Sequence, residues 1–426
     1  MQAVRKVSGI RGEITVPGDK SISHRAVMLG AIAEGVTEIS GFLTGADCLS
    51  TIDCFRSLGI RIERENDQVR VWGQGLFGLQ EPEDVLDVGN SGTTIRLISG
   101  ILSGQPFAST LTGDASIRRR PMKRVLEPLS QMGAGILGRD DQNKAPFSLR
   151  GGSLQPISYR TPVASAQIKS AILLAGLYAP GKTTVTEPEK SRNHSEVMLR
   201  GFGAVVEETE DSSSIEGLPL LKAQKITVPG DISSAAFFIV AALIVPDSEL
   251  LIKNVGLNQT RTGILDVLWQ MGADITVLNE RETSGEKAGD LLVRSSHLQG
   301  VSFGGDIIPR LVDEIPVLAV AAALAEGTTT ITDAEELKVK ESNRLEAITK
   351  ELKKMGADIT ETSDGLIIRG SAKLTGAECD SYHDHRIAMA CAVAGLMADG
   401  QTEIKDPECV EISFPGFFEI LKSIKR

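Results

Sequence analysis

The residues best suited to chemistry in this sequence begin at Lys20, directly after the hexapeptide ITVPGD. That hexapeptide occurs twice, at Ile14–Asp19 and Ile226–Asp231, but no lysine follows the second copy. Because the lysine is needed only once, it is more typical of a charged reactant site than of a backbone requirement. Ser21 and Arg25 are spaced four residues apart, so they share one helix face close to Lys20. The segment lacks the glycine spacing of a P-loop, so ATP binding is not predicted.

Further cations recur at equivalent points in the two halves of the chain. Arg120 and Arg124 precede one Met-Gly step, and Lys340 and Arg344 precede another, with the same four-residue spacing. Arginine can bind carboxylate and phosphate groups through two parallel hydrogen bonds. The candidate anion-binding cations are Lys20, Arg25, Arg120, Lys340, Arg344 and Arg386. This number of cations suits two small phosphorylated acids better than a single monoanion.

Neutral and acidic side chains at other helix starts complete the candidate site. Gly92 would let a ligand approach the backbone closely. Ser165, Ala166 and Gln167 open another helix with hydroxyl and amide groups, which suit a polyol phosphate and are equally ordinary as a cap. Asp313 begins a nearly uncharged helix, so it is a candidate general base and, as an alternative, a simple N-cap.

Metal and thiol chemistry have little support in the sequence. His383, Asp384 and His385 lack a further set of ligands nearby, so neither a metal nor any other cofactor is expected. None of the five cysteines lies among these motifs or in a CxxC pair. This argues against a catalytic cysteine and suits a reducing cytoplasm.

The candidate residues lie on a repeated pattern of helices and strands. A helix-like run ends in an apolar residue and a glycine at Leu58-Gly59, Met132-Gly133, Phe202-Gly203, Met271-Gly272 and Met355-Gly356. A second series of helices, rich in Ala, Leu and Ile, begins at the polar residues Ser21, Asn90, Ser165, Ser233, Asp313 and Asp384. Each repeat therefore reads β-α-β-α-β-β, and a spacing of about 70 residues predicts six such repeats. Helix N-termini attract anions, so a non-catalytic anion-binding scaffold is one alternative, although it does not explain Lys20 or Asp313.

Length and composition limit the architecture and the partners of this chain. A chain of 426 residues is too long for one ordinary core, so two domains are expected. The net charge of −11 and the aromatic content of 4% argue against nucleic acid as a partner. The polar N-terminus and the shortness of the apolar runs predict no signal peptide and no membrane span, and hence a cytoplasmic protein.

Several motifs, taken together in chain order, carry a family resemblance. They are 18–25, Gly89–Thr93, Arg120–Met122, Lys340–Leu345 and Asp384–Met389. Together they resemble the EPSP synthases (3-phosphoshikimate 1-carboxyvinyltransferases) of the enolpyruvyl transferase family. The resemblance implies an α/β fold of two pseudo-symmetric domains, each an inside-out α/β barrel of three βαβαββ repeats. The implied domains are 14–225 and 1–13 plus 226–426, with hinge crossovers near 12–19 and 224–231.

The resemblance also implies a reaction. An enolpyruvyl group would move from phosphoenolpyruvate to the 5-hydroxyl of shikimate 3-phosphate, in a monomeric enzyme of aromatic amino acid biosynthesis. The implied ligands of shikimate 3-phosphate are Lys20, Ser21, Arg25, Ser165, Ala166, Gln167, Arg192, Asp313 and Lys340. The implied ligands of phosphoenolpyruvate are Lys20, Gly92, Arg120, Gln167, Arg344 and Arg386. Asp313 is assigned as the base toward the hydroxyl, and Glu341 or Lys20 as the proton donor.

One lysine that many relatives carry is missing from this chain. Ile412 stands where they have a lysine before Ser413–Pro415. Gly92 is retained where herbicide-insensitive relatives can carry alanine, so inhibition by glyphosate is expected. The alternative on the same fold is a UDP-N-acetylglucosamine enolpyruvyl transferase. That enzyme typically has a cysteine in the loop that here holds Arg118–Met122, and an asparagine at the position of Ser21.

Overall fold

A computed structural model of the protein describes residues 1–425, which form two compact units. The amino-terminal unit comprises Gly18–Val228 and Thr283–Glu286. The carboxy-terminal unit comprises Met1–Pro17, Pro229–Glu282 and residues 287–425. Each unit has a hydrophobic core of its own, built from buried aliphatic and aromatic side chains.

Helices and short strands follow one another along the whole described chain. The strands are β1 (Gln2–Arg5), β2 (Arg11–Thr15), β3 (Glu34–Ser40), β4 (Arg61–Glu65), β5 (Gln68–Gln74), β6 (Leu86–Asp87), β7 (Ala108–Thr112), β8 (Gly135–Gly138), β9 (Lys144–Arg150), β10 (Ser158–Arg160), β11 (Lys182–Thr186), β12 (Val206–Glu208), β13 (Ser212–Glu216), β14 (Lys225–Thr227), β15 (Glu249–Gly256), β16 (Asp274–Thr283), β17 (Glu286–Arg294), β18 (Ser302–Phe303), β19 (Thr328–Ile331), β20 (Asp358–Glu361), β21 (Leu366–Arg369), β22 (Glu378–Cys379) and β23 (Gln401–Ile404). The α-helices are α1 (Lys20–Ile32), α2 (Ala46–Ser57), α3 (Gly92–Ser103), α4 (Lys123–Gln131), α5 (Arg139–Gln142), α6 (Ala166–Gly176), α7 (His194–Gly201), α8 (Ile232–Ile244), α9 (Gly263–Gln270), α10 (Ile308–Leu311), α11 (Ile315–Leu324), α12 (Arg344–Lys354), α13 (His385–Gly395) and α14 (Phe417–Ser423). Short 3₁₀ turns occur at Ile117–Arg119, Gly305–Ile307, Val312–Glu314, Glu335–Val339 and Pro407–Ile412.

The strands form small sheets, three in each unit. The amino-terminal unit has the strand orders β14-β3-β5-β4, β6-β7-β9-β8 and β10-β11-β13-β12. The carboxy-terminal unit has β16-β17-β15-β2, β18-β19-β21-β20 and β1-β23-β22. Each sheet combines a parallel pair with an antiparallel partner, as when β10 pairs with β11 and β11 with β13. Parallel neighbours need a crossover connection, and a buried helix supplies it in four of these six sheets, as α6 does between β10 and β11.

The two hexapeptide copies mark two of the points where the chain passes from one unit to the other. The first residues of the first copy lie at the end of β2. This strand pairs with β15, and Ile14 lies opposite Ile252. The first residues of the second copy lie at the end of β14. This strand pairs with β3, and Ile226 lies opposite Ile39. Each copy thus ends a strand of one unit and leads into a buried helix of the other, α1 or α8.

Three helices rich in small and aliphatic residues occupy the centre of each unit. They are α1, α3 and α6 in the amino-terminal unit and α8, α11 and α13 in the carboxy-terminal unit, and nearly all of their residues are buried. Small side chains let such helices pack closely, and a helix that is apolar all round belongs in a core. The sheets and the amphipathic helices, such as α4 and α12, surround these three helices. The predicted fold class, an inside-out α/β barrel of βαβαββ repeats in each half, is confirmed.

The recurrent apolar-Gly steps end the outer helices. Gly59, Gly133, Gly203, Gly272 and Gly356 all have positive φ angles between 84° and 112°. Glycine adopts this left-handed conformation without steric cost and commonly follows the last helical residue. A repeated backbone requirement therefore explains these glycines without any reference to function.

The sixth repeat differs from the predicted β-α-β-α-β-β pattern. Its sheet has three strands, and β1, from the beginning of the chain, takes the place of a hairpin that follows in sequence. β1 runs antiparallel to β23, with Gln2 opposite Ile404 and Arg5 opposite Gln401. A pattern search along the chain misses this pairing because nearly 400 residues separate the two strands. No helix within residues 1–425 is long and apolar enough to cross a membrane.

Candidate functional site

In the amino-terminal unit, Lys20 is the first residue of α1 and forms an ion pair with Asp47. The distance between Lys20 Nζ and Asp47 Oδ2 is 2.8 Å, and only 21% and 8% of the two side chains are exposed. Asp19 caps the helix, because its carboxylate accepts a hydrogen bond from the Ile22 N–H at 2.9 Å. Asp231 caps α8 in the same way. The cap is therefore common to both copies, whereas the ammonium group belongs to the first alone.

Arg25, one turn further along α1, is buried and held by two hydroxyl groups. Its Nε donates to Ser195 Oγ at 2.7 Å, and its Nη2 donates to Ser170 Oγ at 2.8 Å. Its Nη1 donates to the Ser21 carbonyl at 3.0 Å. Burial lowers the pKa of Arg25 to about 10, although nearby carboxylates oppose the shift. Arg25 thus remains a cation at neutral pH, in a fixed orientation.

A chain of buried hydrogen bonds connects α1, α2 and the start of α3. It runs from His24 Nδ1 to Thr51 Oγ1 (2.6 Å), on to Thr94 Oγ1 (2.7 Å) and then to Ser91 Oγ (2.6 Å). Burial, together with the two cations of α1, holds the pKa of His24 well below 6.5. The imidazole is therefore neutral at physiological pH. This chain fixes the helix that begins at Lys20 relative to the helix that begins at Gly92.

Two guanidinium groups crowd the start of α3. A Cβ atom at Gly92 would lie 2.8 Å from Arg120 Nη1 and 3.1 Å from Arg96 Nη1. Gln167 Oε1 accepts a hydrogen bond from Arg96 Nη1 at 2.7 Å, and Gln167 Nε2 donates to Thr93 Oγ1 at 3.1 Å. Three candidate residues, Gly92, Arg120 and Gln167, therefore lie in one cluster. Cations beside a helix N-terminus form a suitable site for an anion.

Ser165 and Arg192 lie at the starts of two further helices of the same unit. Ser165 caps α6, with its Oγ accepting from the Ile168 N–H at 3.5 Å, and Ala166 is the first helical residue. Arg192 precedes α7, close enough to Arg25 for the two positive charges to interact.

In the carboxy-terminal unit, Arg344 is the centre of an ion-pair cluster. It is the first residue of α12, and only 2% of its side chain is exposed. Its Nε lies 2.8 Å from Asp384 Oδ2, its Nη1 3.2 Å from Asp313 Oδ1, and its Nη2 2.5 Å from Glu341 Oε2. Burial alone would lower the pKa of Arg344, but the three carboxylates outweigh burial and raise it. The guanidinium is therefore permanently charged.

Asp313 does not cap the helix that follows it, which corrects the capping alternative from the sequence. It lies in the 3₁₀ turn Val312–Glu314, and Glu314 occupies the N-cap position of α11 without a side-chain hydrogen bond to the helix. The Asp313 carboxylate instead faces Arg344 Nη1 at 3.2 Å and Lys340 Nζ at 3.8 Å. The attraction of two cations outweighs the preference of aspartate for an N-cap, because capping contributes only about 1 kcal/mol.

Lys340 and Arg386 both contact Asp313, which lies in the 3₁₀ turn Val312–Glu314. The four-residue spacing suggested that Lys340 and Arg344 share one helix face, but Lys340 lies before α12. The Asp313 carboxylate instead contacts both Lys340 and Arg344. Arg386, near the start of α13, donates from Nη1 to the Asp313 carbonyl at 3.1 Å. Ile412, where relatives carry a lysine, ends a 3₁₀ turn and packs partly buried against the core.

Three residues of these clusters were missed in the sequence: Asp47, Arg96 and Asp384. Arg96 could have been found from the sequence, because it lies four residues after Gly92 on the same helix. Asp384 was predicted as the start of a helix and as part of a possible metal motif, but its ion pair with Arg344 was missed. In the structure it caps α13 by accepting from the Arg386 N–H at 3.0 Å and also binds Arg344. Asp47 gave no local signal, because its partner is 27 residues away.

Comparison with known proteins shows similarity to one family over nearly the whole chain. The family model for EPSP synthase (3-phosphoshikimate 1-carboxyvinyltransferase) matches residues 4–421. The 3-phosphoshikimate 1-carboxyvinyltransferase of Desulforamulus reducens is 57% identical over 422 residues, which cover 99% of this chain and 98% of the relative. That of Brevibacillus brevis is 57% identical over 426 residues, covering 100% of both chains.

Solved structures show the same fold. An EPSP synthase from Acinetobacter baumannii superposes with a TM-score of 0.89 at 47% identity, covering 99% of this chain and 98% of that one. The enolpyruvyl transferase NikO from Streptomyces tendae superposes with a TM-score of 0.79 at 17% identity, covering 99% and 96%. At that identity the second likeness concerns the fold alone.

Proposed function

The chain belongs to the EPSP synthase family, and on this premise we propose that it transfers the enolpyruvyl group of phosphoenolpyruvate to the 5-hydroxyl of shikimate 3-phosphate. The products are 5-enolpyruvylshikimate 3-phosphate and inorganic phosphate, on the route to chorismate and the aromatic amino acids. Shikimate 3-phosphate is held by Lys20, Ser21, Arg25, Ser165, Ala166, Gln167, Arg192, Asp313 and Lys340. Phosphoenolpyruvate is held by Lys20, Gly92, Arg120, Gln167, Arg344 and Arg386.

The observation that carries this proposal is the contact between Asp313 and Arg344. A carboxylate that can accept a proton lies 3.2 Å from a guanidinium that can bind an anionic substrate. Glu341 contacts the same guanidinium, and Lys340 and Arg386 contact Asp313. A base held beside an anion-binding group satisfies the positional demand of a reaction in which a hydroxyl attacks a phosphorylated acid.

The proposed chemistry has two steps. Asp313 accepts the proton of the 5-hydroxyl as that oxygen bonds to C2 of phosphoenolpyruvate, while C3 gains a proton. Glu341 and Lys20 are the two candidates for the donor of that proton. Loss of a proton from C3 then regenerates the double bond as C2 releases inorganic phosphate. The arginine cations stabilise the anionic groups of the tetrahedral intermediate.

The same proposal extends to the organisation of the protein. We propose the domains 14–225 and 1–13 plus 226–426, with crossovers near 12–19 and 224–231, and the division into two compact units supports this. The protein acts as a monomer in the cytoplasm, without nucleic acid or membrane as a partner. The net charge of −11 supports the absence of a polyanionic partner, because phosphate backbones attract basic surfaces.

An acceptor comparison tests the proposed function. Phosphate release is measured with phosphoenolpyruvate plus shikimate 3-phosphate and, in parallel, with phosphoenolpyruvate plus UDP-N-acetylglucosamine. We expect release with the first acceptor only. Release with the nucleotide sugar only would assign the sister reaction. Folded protein that is inactive with both acceptors would favour an anion-binding scaffold. Glyphosate added to the first assay should inhibit it, and unchanged activity at high glyphosate would contradict that expectation.

The substitution Gly92→Ala is expected to raise the KM for phosphoenolpyruvate with little loss of stability. The new methyl group would lie 2.8 Å from Arg120 Nη1, the far end of a flexible side chain, so the guanidinium moves and the backbone does not. A displacement of this size in a substrate-binding cation costs between about 10-fold and 100-fold. Steady-state kinetics in each substrate measures the change.

Gly201→Ala is the matched control for Gly92→Ala. Gly201 lies on α7 of the same unit, and a Cβ atom there would meet no other atom within 4 Å. We expect wild-type kinetics from this control. A KM for phosphoenolpyruvate that stays unchanged in Gly92→Ala would show that Arg120 does not contact this substrate.

Thiol alkylation is expected to leave the enzyme active. All five cysteines are buried. Burial raises the pKa of Cys54 to about 12, with the Asp53 and Asp87 charges adding to the shift, and burial also raises the pKa of Cys409 to about 12. Because the thiolate is the reactive form, iodoacetamide should label the folded protein very slowly and the unfolded protein at all five positions. Loss of activity in step with labelling of the folded protein would indicate a catalytic cysteine.

A further inference from the structure

Lys169 is a buried lysine of the amino-terminal unit with no part in the proposed chemistry. It lies on α6, four residues after Ser165, and only 1% of its side chain is exposed. Its Nζ lies 2.8 Å from Glu187 Oε2 and 2.8 Å from Glu196 Oε1, and it donates to the Ser191 carbonyl at 3.3 Å. The three protons of an ammonium group thus meet three acceptors on other segments of the chain.

Packing alone does not account for a charged residue at this position. Glu187 and Glu196 are themselves almost completely buried. Burial lowers the pKa of Lys169, but the two carboxylates outweigh burial and raise it, so the group is an ammonium ion at neutral pH. Apolar side chains can often replace a buried ion network without loss of stability. What an apolar side chain could not do is hold three polar segments at fixed distances.

Glu187 joins two elements of the proposed shikimate 3-phosphate site. Its Oε1 accepts a hydrogen bond from the Ser165 N–H at 3.1 Å. Its Oε2 accepts from the Ser191 N–H at 3.3 Å while it faces Lys169. Ser165 caps α6, and Ser191 directly precedes Arg192. One carboxylate, oriented by Lys169, therefore fixes a helix N-terminus relative to the segment that carries an arginine.

Glu196 extends the same network toward Arg25. Its neighbour in sequence, Ser195, accepts a hydrogen bond from Arg25 Nε, and Ser170, the neighbour of Lys169, accepts from Arg25 Nη2. The Ser170 and Ser195 hydroxyl groups are 2.6 Å apart. The ion pairs of Lys169 therefore hold the backbone on both sides of the hydroxyl pair that orients Arg25.

We infer that Lys169 is a positioning residue for the phosphate group of shikimate 3-phosphate, acting through Glu187 on Ser165 and Arg192. A helix N-terminus and an arginine are natural partners of a phosphate group, and their relative position decides whether both can bind it at once. The inference rests on the proposed function, because it takes shikimate 3-phosphate as the ligand of these groups. It assigns Lys169 a role in recognition and none in the chemical step.

Three variants test the inference: Lys169→Met, Glu187→Gln and Ser213→Ala. Methionine has a similar length and no charge. Glutamine at 187 keeps an acceptor for Ser165 but presents no negative charge to Lys169. Ser213→Ala is the matched control, because Ser213 Oγ donates to Glu196 Oε1 at 2.9 Å, within the same network and away from Glu187. For each variant the dissociation constants of shikimate 3-phosphate and of shikimate are measured by calorimetry, together with kinetics and thermal unfolding.

We expect selective loss of phosphate recognition in the first two variants. Affinity for shikimate 3-phosphate should fall by about 10-fold or more, since a misplaced binding group can cost up to about 100-fold. Affinity for shikimate, and the KM for phosphoenolpyruvate, should change by about 2-fold or less, as should all constants of Ser213→Ala. A purely structural role would lower the unfolding temperature without changing the ratio of the two affinities.

The outcomes separate this inference from the proposed function. Turnover of shikimate 3-phosphate by the wild type tests the function, whatever the variants do. If the wild type turns it over and folded Lys169→Met binds both ligands in the wild-type ratio, the inference is wrong. If Lys169→Met does not fold, Glu187→Gln decides in the same way. A wild type that neither binds nor turns over shikimate 3-phosphate would overturn both.

Discussion

Replacing Asp313 with asparagine is expected to lower kcat by about 10²–10⁴-fold, the range that a positioned general base contributes. Asparagine has nearly the shape of aspartate, and its carbonyl oxygen can still accept the hydrogen bond that Arg344 Nη1 donates at 3.2 Å. The side chain can no longer accept the proton of the 5-hydroxyl. Both substrates should therefore still bind. The measurement is kcat by phosphate release, with the dissociation constant of each substrate from calorimetry.

Asp306→Asn provides the control for that experiment. Asp306 is an exposed residue of the same unit, in the 3₁₀ turn Gly305–Ile307. Its replacement removes the same charge from the protein and should leave kcat unchanged. If Asp313→Asn turned over at close to the wild-type rate, Asp313 would not be the base. If it lost affinity for shikimate 3-phosphate instead of rate, Asp313 would be a binding residue only.

The repeats could be predicted from the sequence because their signals are local. A glycine with positive φ is required wherever an outer helix ends, and an apolar residue precedes it each time. Five of the six buried helices start at capping residues, and these helices contain almost no charge, so the few charges at their starts are conspicuous. For the same reason Lys20 and Arg25 could be found, since both lie in the first turns of α1.

The distant partners of these cations could not be predicted, because they depend on how separate segments of the chain meet. Arg344 binds Asp384, which is 40 residues away in sequence, and Lys20 binds Asp47, which is 27 residues away. The role of Asp313 as a cap was wrong for a related reason. Capping preference is a local property of aspartate, whereas the ion pair with Arg344 forms only in the folded unit. The strand β1 also finds its partner at the far end of the chain.

Replacing Arg344 with methionine should cost about 3–5 kcal/mol of unfolding free energy, the usual effect of leaving a buried carboxylate without its partner. Asp384 is completely buried, and the variant leaves it beside Asp313 and Glu341 without the guanidinium. The KM for phosphoenolpyruvate should rise as well, because the proposed anion-binding group is gone. Denaturant unfolding at pH 7 measures the first effect and steady-state kinetics the second.

Arg369→Met is the control for the loss of an arginine from the same unit. Arg369 forms an ion pair with Asp358 in which 71% and 58% of the side chains are exposed. Such surface pairs contribute little to stability, so this variant should unfold and turn over like the wild type. An equal loss of stability in both variants would mean that the buried cluster around Arg344 contributes no more to the free energy of unfolding than an exposed ion pair does.

The stability difference between wild type and Arg344→Met should also depend on pH. Burial would raise the pKa of Asp384, but the Arg344 guanidinium outweighs burial and holds that pKa below 3.8. A carboxyl group whose pKa is lower in the folded state stabilises the protein above its unfolded pKa of about 3.9, and this stabilisation is lost as the pH falls through the folded value. The wild type should therefore lose its advantage over the variant at acidic pH, below about pH 4. A difference that stayed constant from pH 7 to pH 3 would show that the ion pair with Asp384 is not what Arg344 contributes. The loss would then have to come from the packing of its side chain.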